Sequence, residues 1–458
     1  MMGFAEFAKI RCAGPVIGMA LGVGLAASLT LTPALMRLFG RFVFWPSRVA
    51  TDGRPRLGDR IWDWISRRVV ARPGWILGGA LAVLTPLALI GLEIRPTFSP
   101  IGDLGPHAAS VQGLEAIRRH FTPGELGPIT VLLAADSDWN SAGGRDVISY
   151  LSRGFACLDN VAEVRSLTQP LGEPIAPTSG WNGVLAKAAC SAAASHYVAD
   201  RPDGQGPRFI TRIDVVLRSD PFAEASQSTL ETIETWLHDF LPPRLARFGA
   251  VETDCYGVTV HARDLAAVIS RDRARINGLV LAGIFVILLV LVKRPLLAAY
   301  LLATVLLSYF AALGLTALFA SYWAGKPLGE IEWRVPFFLF TILVAVGEDY
   351  NILMVTRALK ERKRHGPVEG TRRGLACTGG TITACGIIMA GTFGTLMLAG
   401  LGTLVQIGFA LGVGVLIDTL VVRPLLVPAF LLLVDREEPM GPVTLPFDPA
   451  ARKKRWAA

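Results

Sequence analysis

Seven stretches of this chain run for some twenty residues with almost no charge, and no other feature limits its fold so strongly. They are Pro15 to Leu38, Trp75 to Leu92, Ile276 to Val292, Leu296 to Ala320, Val335 to Thr356, Ala376 to Leu398 and Thr403 to Val434. A helix rises 1.5 Å per residue, so about twenty apolar residues cross a hydrocarbon core of about 30 Å. Charged residues make up 18% of the 458, against about 25% in ordinary soluble domains. The mean hydropathy is +0.46. These runs predict a polytopic α-helical membrane protein with about seven transmembrane helices.

One long polar region interrupts the spans. Between Glu93 and Arg275 the pattern alternates between strand and helix: a strand over Ile129–Ala135, an amphipathic helix over Arg145–Cys157 and a strand over Val161–Leu167. The order then recurs, with a strand over Phe209–Leu217, a helix over Ala225–Phe240 and a strand near Val251–Val258. Two such units predict an α+β domain of the ferredoxin-like kind. The expected order along the chain is therefore a span in 1–40, a basic interfacial segment in 41–73, a span in 74–93, the α+β domain in 94–275, a five-helix bundle in 276–434 and a tail in 435–458.

Basic residues fix the orientation. Arg41, Arg48, Arg54, Arg56, Arg60, Arg67, Arg68 and Arg72, interleaved with Trp45, Trp62 and Trp64, fall on one side of the membrane. So do the Lys293-Arg294 turn, the loop from Arg357 to Arg373 and the tail Arg452-Lys453-Lys454-Arg455. Cytoplasmic loops are rich in Lys and Arg, so that side is cytoplasmic and the α+β domain is extracytoplasmic. The arginine–tryptophan stretch reads as an interfacial helix facing membrane lipids. The same flanks explain the net charge of +8 without nucleic acid, which demands a basic stripe on a folded face. Trp75, Trp323 and Trp333 mark span ends, as an interfacial belt does.

An octapeptide repeats. Ile17-Gly18-Met19-Ala20-Leu21-Gly22-Val23-Gly24 returns as Ile407-Gly408-Phe409-Ala410-Leu411-Gly412-Val413-Gly414, changed at one position. Glycines four residues apart let helices approach closely, but close packing alone does not reproduce the residues between them. Duplication does. The first span then corresponds to the last, and the chain reads as one full repeat preceded by the closing helix of another, a transporter-like arrangement.

Two spans carry carboxylates in mid-membrane. Asp349 in Gly347-Glu348-Asp349-Tyr350-Asn351 lies fourteen residues past Val335, roughly 21 Å in, and Arg357 follows about 12 Å later. Asp418 lies at about the same depth, roughly 21 Å, in the last span. A charge there costs about 2.5–3.5 kcal/mol unless it is protonated, paired or hydrated, which makes such residues candidate proton relays. Asp418 has Arg423 within reach as a partner, and Glu348 points about 100° away from Asp349 on a helix.

The run from Val335 to Arg357, with Asp-Tyr in mid-span and a basic loop after it, resembles the MMPL branch of the RND transporter superfamily. The glycine-rich closing segment from Gly391 to Val427 and the Gly257, Asp264, Arg271-Asp272 approach to the third span are similar to that family too. The resemblance implies a proton-motive-force-driven exporter of lipids or other hydrophobic molecules in the cytoplasmic membrane, with a porter-type external domain and no cofactor. It also implies an Asp-Tyr pair in each half of the transporter. Asp349 and Tyr350 match the second pair, with Asp418 and Glu348 as further relay candidates. Glu348 departs from the family, where a small or apolar residue precedes the Asp. The first pair lies outside this sequence, which implies a missing N-terminal half or a second transporter subunit as partner.

Other classes find little support in the sequence. It contains no GxxxxGK[ST], HExxH or GxSxG, so an enzyme or a chain with its own ATP site is not expected. The six cysteines show no CxxC and no Cys/His metal spacing. The remaining rivals are a sterol-sensing-like receptor or assembly subunit, in which Asp349 is dispensable, and an auxiliary of protein export related to SecD and SecF.

Overall fold

The computed structural model describes residues 5–40, 57–98, 108–173, 191–200, 209–240, 251–324 and 328–434, together with residues 3, 42 and 104. Arg41, Trp45, Arg48, Arg54, Arg56, Cys190 and the basic tail lie outside the described residues. The helices are α1 (Ala8–Phe39), α2 (Leu57–Ala71), α3 (Pro73–Leu92), α4 (Ala109–His120), α5 (Ala142–Ala156), α6 (Glu224–Phe240), α7 (Val258–Val292), α8 (Pro295–Ala324), α9 (Arg334–His365), α10 (Pro367–Gly394), α11 (Gly402–Ile417) and α12 (Val427–Val434). The strands are β1 (Arg95–Thr97), β2 (Ile129–Ala135), β3 (Val161–Arg165), β4 (Val198–Asp200), β5 (Phe209–Leu217), β6 (Glu252–Tyr256) and β7 (Glu330–Glu332). Among the described residues, seven helices are long and apolar enough to cross a membrane, one for each predicted span. The chain is a multi-pass membrane protein.

The fold divides into two compact units. One holds Met1–Ile17, Pro96–Ile276 and Gly400–Gly402; the other holds Gly18–Arg95, Asn277–Ala399 and Thr403–Ala458.

In the first unit an antiparallel sheet has the strand order β3-β5-β2-β6, with β4 paired to β5. Period-two alternation sends Ile129, Val131, Leu133 and Ala135 to one face, where all four are fully buried. Ile148, Leu151 and Phe155 of α5 and Leu230, Ile233 and Leu237 of α6 complete this core with Ile213, Val215 and Leu217 of β5. Ser141 caps α5 by accepting a hydrogen bond from the Gly144 amide at 3.2 Å. Gly154 lets α5 lie against Trp236 of α6, since a Cβ there would come within 2.4 Å of the indole ring. Asp272, fully buried, accepts hydrogen bonds from the amides of Glu6 and Phe7 at 2.9 Å each, just ahead of α1. The Arg271-Asp272 pair singled out in the sequence therefore includes a structural clamp.

In the second unit, glycines set the helix crossings. A Cβ on Gly91 of α3 would sit 2.0 Å from the Phe310 carbonyl oxygen of α8, and one on Gly314 would sit 2.0 Å from that of Leu87. Only glycine fits at that crossing. Gly374 of α10 meets the Ala358 backbone of α9 in the same way, and Gly408 of α11 meets the Phe393 carbonyl oxygen.

The two copies of the repeated octapeptide behave differently. Around Gly408 and Gly414 the α11 copy is packed against neighbours. In α1, Gly18, Gly22 and Gly24 have nothing within 4 Å of a Cβ, and the apolar window of the helix buries none of its residues.

Candidate functional site

The site is built where α9 meets the last span. At Pro424 the last span widens into a π-helix over Asp418–Leu426 and continues as α12. Proline has no N–H to give to an α-helical ladder, and a π-bulge is one way a helix absorbs such an irregularity. The wider turn also moves side chains. In an α-helix Asp418 and Arg423, five residues apart, would point about 140° from each other. Here they form an ion pair, with Asp418 and Arg423 only 1% and 2% exposed.

Around that pair the apolar faces of α8, α9 and α11 close a core of Val305, Leu313, Leu339, Leu343, Val344 and Leu411, among others. Gly347 brings α9 close, since a Cβ there would lie 3.4 Å from the Asp418 carboxylate. The Gly347 carbonyl accepts a hydrogen bond from Arg423 Nη2 at 3.3 Å, and Thr419 Oγ1 accepts one from Nη1 at 3.4 Å. The guanidinium also lies over the Tyr350 ring, 4.6 Å from its centroid, in cation–π range. The Tyr350 hydroxyl donates to Met389 Sδ of α10 at 3.7 Å.

Glu348 faces the same interior and is 3% exposed, and Asn351, one turn along, is fully buried. Neither carboxylate oxygen of Glu348 and neither amide atom of Asn351 reaches hydrogen-bonding geometry with a group on the chain. Asp418 Oδ1 and Arg423 Nε are likewise unpartnered. A buried polar group left without a partner costs about 1–3 kcal/mol, so this interior concentrates unspent polar groups. Asp418 is paired with the guanidinium, and the Glu348 carboxyl is buried nearby without a partner.

Three of the four relay residues expected from sequence therefore converge: Glu348, Tyr350 and Asp418, with Arg423 at their centre. Asp349 does not join them. It is exposed, on a stripe of α9 with Ala345 and Leu353 at four-residue spacing. The sequence reading placed Asp349 and Asp418 at one depth, and Gly347 does lie level with Asp418. Depth, however, says nothing about which way a side chain points. Asn351 was missed as a member of the cluster. Its signal was a carboxamide three residues after Glu348 on an otherwise apolar face.

A family model described as the MMPL family matches residues 1–76 and 104–457. The chain belongs to the MMPL family. It is 32% identical over 433 residues to ActII-3, a membrane protein of Streptomyces coelicolor, covering 92% of this chain and 52% of that protein. It is 29% identical over 430 residues to the apo-petrobactin exporter of Bacillus anthracis, covering 90% of this chain and 51% of the exporter. Over 233 residues it is 34% identical to the sulfolipid-1 exporter MmpL8 of Mycobacterium tuberculosis, covering 51% of this chain and 20% of MmpL8. This MMPL chain spans about half the length of the first of these relatives.

Proposed function

We propose that the chain works as the C-terminal half of a proton-motive-force-driven exporter of lipids or other hydrophobic molecules in the cytoplasmic membrane. The observation that carries this reading is the buried cluster of Glu348, Asn351, Asp418 and Arg423 inside the helices of an MMPL-family chain. A proton binding to or leaving Glu348 or Asp418 changes the charge beside Arg423 and frees it to change partners among Asp418, Gly347, Thr419 and the face of Tyr350. Those partners lie on α9 and on the π segment, so the exchange moves one helix against the other. A proton crossing 100 mV supplies about 2.3 kcal/mol, which biases such an equilibrium about fifty-fold.

Asp349 takes its place in the relay from a second bundle. A lipid-facing carboxylate costs about 2.5–3.5 kcal/mol, and a partner half laid over Ala345, Asp349 and Leu353 removes that cost. The bare α1 supports the same reading, because its three glycines are the repeat copies of residues that in α11 serve packing. The strand order β3-β5-β2-β6 is the one a ferredoxin-like βαββαβ domain adopts, which supports a porter-type role for residues 94–275 on the extracytoplasmic side. Relatives named as exporters of sulfolipid-1 and apo-petrobactin support export as the activity, and the sulfolipid-1 exporter supports a lipid as the cargo.

The test is Asp349→Asn in the assembled transporter. The expected result is loss of efflux together with its sensitivity to an uncoupler. Efflux that continues unchanged in the variant removes Asp349 from the relay, and wild-type efflux that the uncoupler leaves untouched overturns the reading.

A further inference from the structure

Helix α2 has one face packed against the protein and one face that stays exposed among the described residues. Trp62, Ser66 and Val69, spaced as one helical face, are buried. The Trp62 ring lies where a Cβ on Gly379 of α10 would come within 2.2 Å of it, and Val69 clusters with Ala429 and Leu432 of α12. Asp63 fixes the helix further, accepting a hydrogen bond from Arg372 Nη1 of α10 at 2.5 Å while pairing with Arg67.

The opposite face carries Arg60, Ile61, Trp64, Arg68 and Arg72, all exposed, with Arg67 beside them. Trp64 is 61% exposed and Arg68 lies over its ring, 5.5 Å from the centroid. Trp75, 84% exposed, continues the face into the first turn of α3.

In the basic stretch that joins α9 and α10, part of the charge is answered within the chain. Arg357 pairs with Glu361, and Arg372 and Arg373 both pair with Glu369. Along α2 and the residue that follows it, Arg60, Arg67, Arg68 and Arg72 stand with Asp59 and Asp63 in the sequence, and Asp63 is already shared between Arg67 and Arg372.

We propose that this face binds the headgroups of anionic phospholipids in the leaflet that α2 lies against, holding the helix at the membrane interface. Charge complementarity and the apolar residues select that occupant together. Ile61, Trp64 and Trp75 alternate with the arginines beside the end of a membrane span, the arrangement that seats aromatic rings at headgroup level and arginines on phosphate. A soluble anion or an acidic peptide would leave those apolar side chains in water.

Each arginine near an anionic surface contributes about 1 kcal/mol, a factor of about five in binding. The test uses the full chain in detergent with mixed phosphatidylglycerol and phosphatidylcholine, and counts retained lipids by native mass spectrometry. The wild type is expected to retain phosphatidylglycerol selectively and to lose it as salt is raised. Arg60→Gln/Arg68→Gln/Arg72→Gln spares Arg67, the arginine paired with Asp63, and should weaken that retention roughly a hundredfold. Lys360→Gln/Arg364→Gln, on the exposed end of α9, should leave it intact. Equal retention of the two lipids, an unaffected triple variant, or an equal loss in the α9 control would each overturn the proposal.

Discussion

Splitting the Asp418–Arg423 pair should cost far more than deleting it. Each side chain is at most 2% exposed, and the guanidinium holds three further contacts, to Gly347, Thr419 and the Tyr350 ring. Removing one member of a buried pair leaves the other charge uncompensated, at about 3–5 kcal/mol, whereas replacing both by groups of similar volume is often close to neutral. Arg423→Met and Asp418→Asn should therefore each destabilise the bundle by about 3–5 kcal/mol. The double variant should cost less than either single one. The assay is equilibrium unfolding from mild detergent into SDS, followed by far-UV circular dichroism, on all four proteins of the cycle. If the two single costs add in the double variant to within about 0.5 kcal/mol, the residues are not coupled and the π turn does not bring them together.

Three other outcomes follow from the packing. Gly314→Leu places a side chain where a Cβ would already lie 2.0 Å from the Leu87 carbonyl oxygen, so it should abolish recovery of folded protein by size exclusion; a normal yield would contradict the α3–α8 crossing. Gly408→Leu should destabilise the chain, since a Cβ there would lie 2.8 Å from the Phe393 carbonyl oxygen, whereas Gly18→Leu in the repeat copy should leave the stability of this chain unchanged and reduce transport only in the assembled exporter. Burial pushes the Cys255 thiol up to about 12. In a variant with Cys255 as sole cysteine, alkylation by an impermeant maleimide at pH 8 should be slow and rise about tenfold per pH unit, because only the thiolate reacts. Exposed Cys157, tested likewise, should react promptly; the reverse order would contradict the placement of β6 in the sheet.

Hydropathy made the membrane spans legible, and strict alternation did the same for β2 and β5, both of which match the expected bounds Ile129–Ala135 and Phe209–Leu217. Elsewhere local chemistry moved the boundaries. Helix α5 begins at Ala142, three residues before the apolar periodicity, because Ser141 supplies its cap. Strand β3 stops at Arg165 because Ser166 and Gln169 bridge across a turn. The three-residue β4 carries too little pattern to be read from sequence.

In the candidate site, hydropathy carries no direction around the helix axis. Helix α9 is apolar on most sides in mid-membrane, so no amphipathic stripe orients Glu348 or Asp349. The π turn is equally silent, since hydropathy does not depend on whether a turn closes at four residues or five. The partnership of Asp418 with Arg423 was visible as a possibility, and their joining to Glu348 and Tyr350 required coordinates.

The most direct test of the central claim is proton flux through the assembled transporter in proteoliposomes, followed with a pH-sensitive dye trapped inside while a hydrophobic substrate is exported. Wild-type protein should couple substrate movement to proton movement in the opposite direction, and Glu348→Gln/Asp418→Asn should abolish both. Substrate export without proton flux, or proton-coupled export that survives the double substitution, would contradict the account.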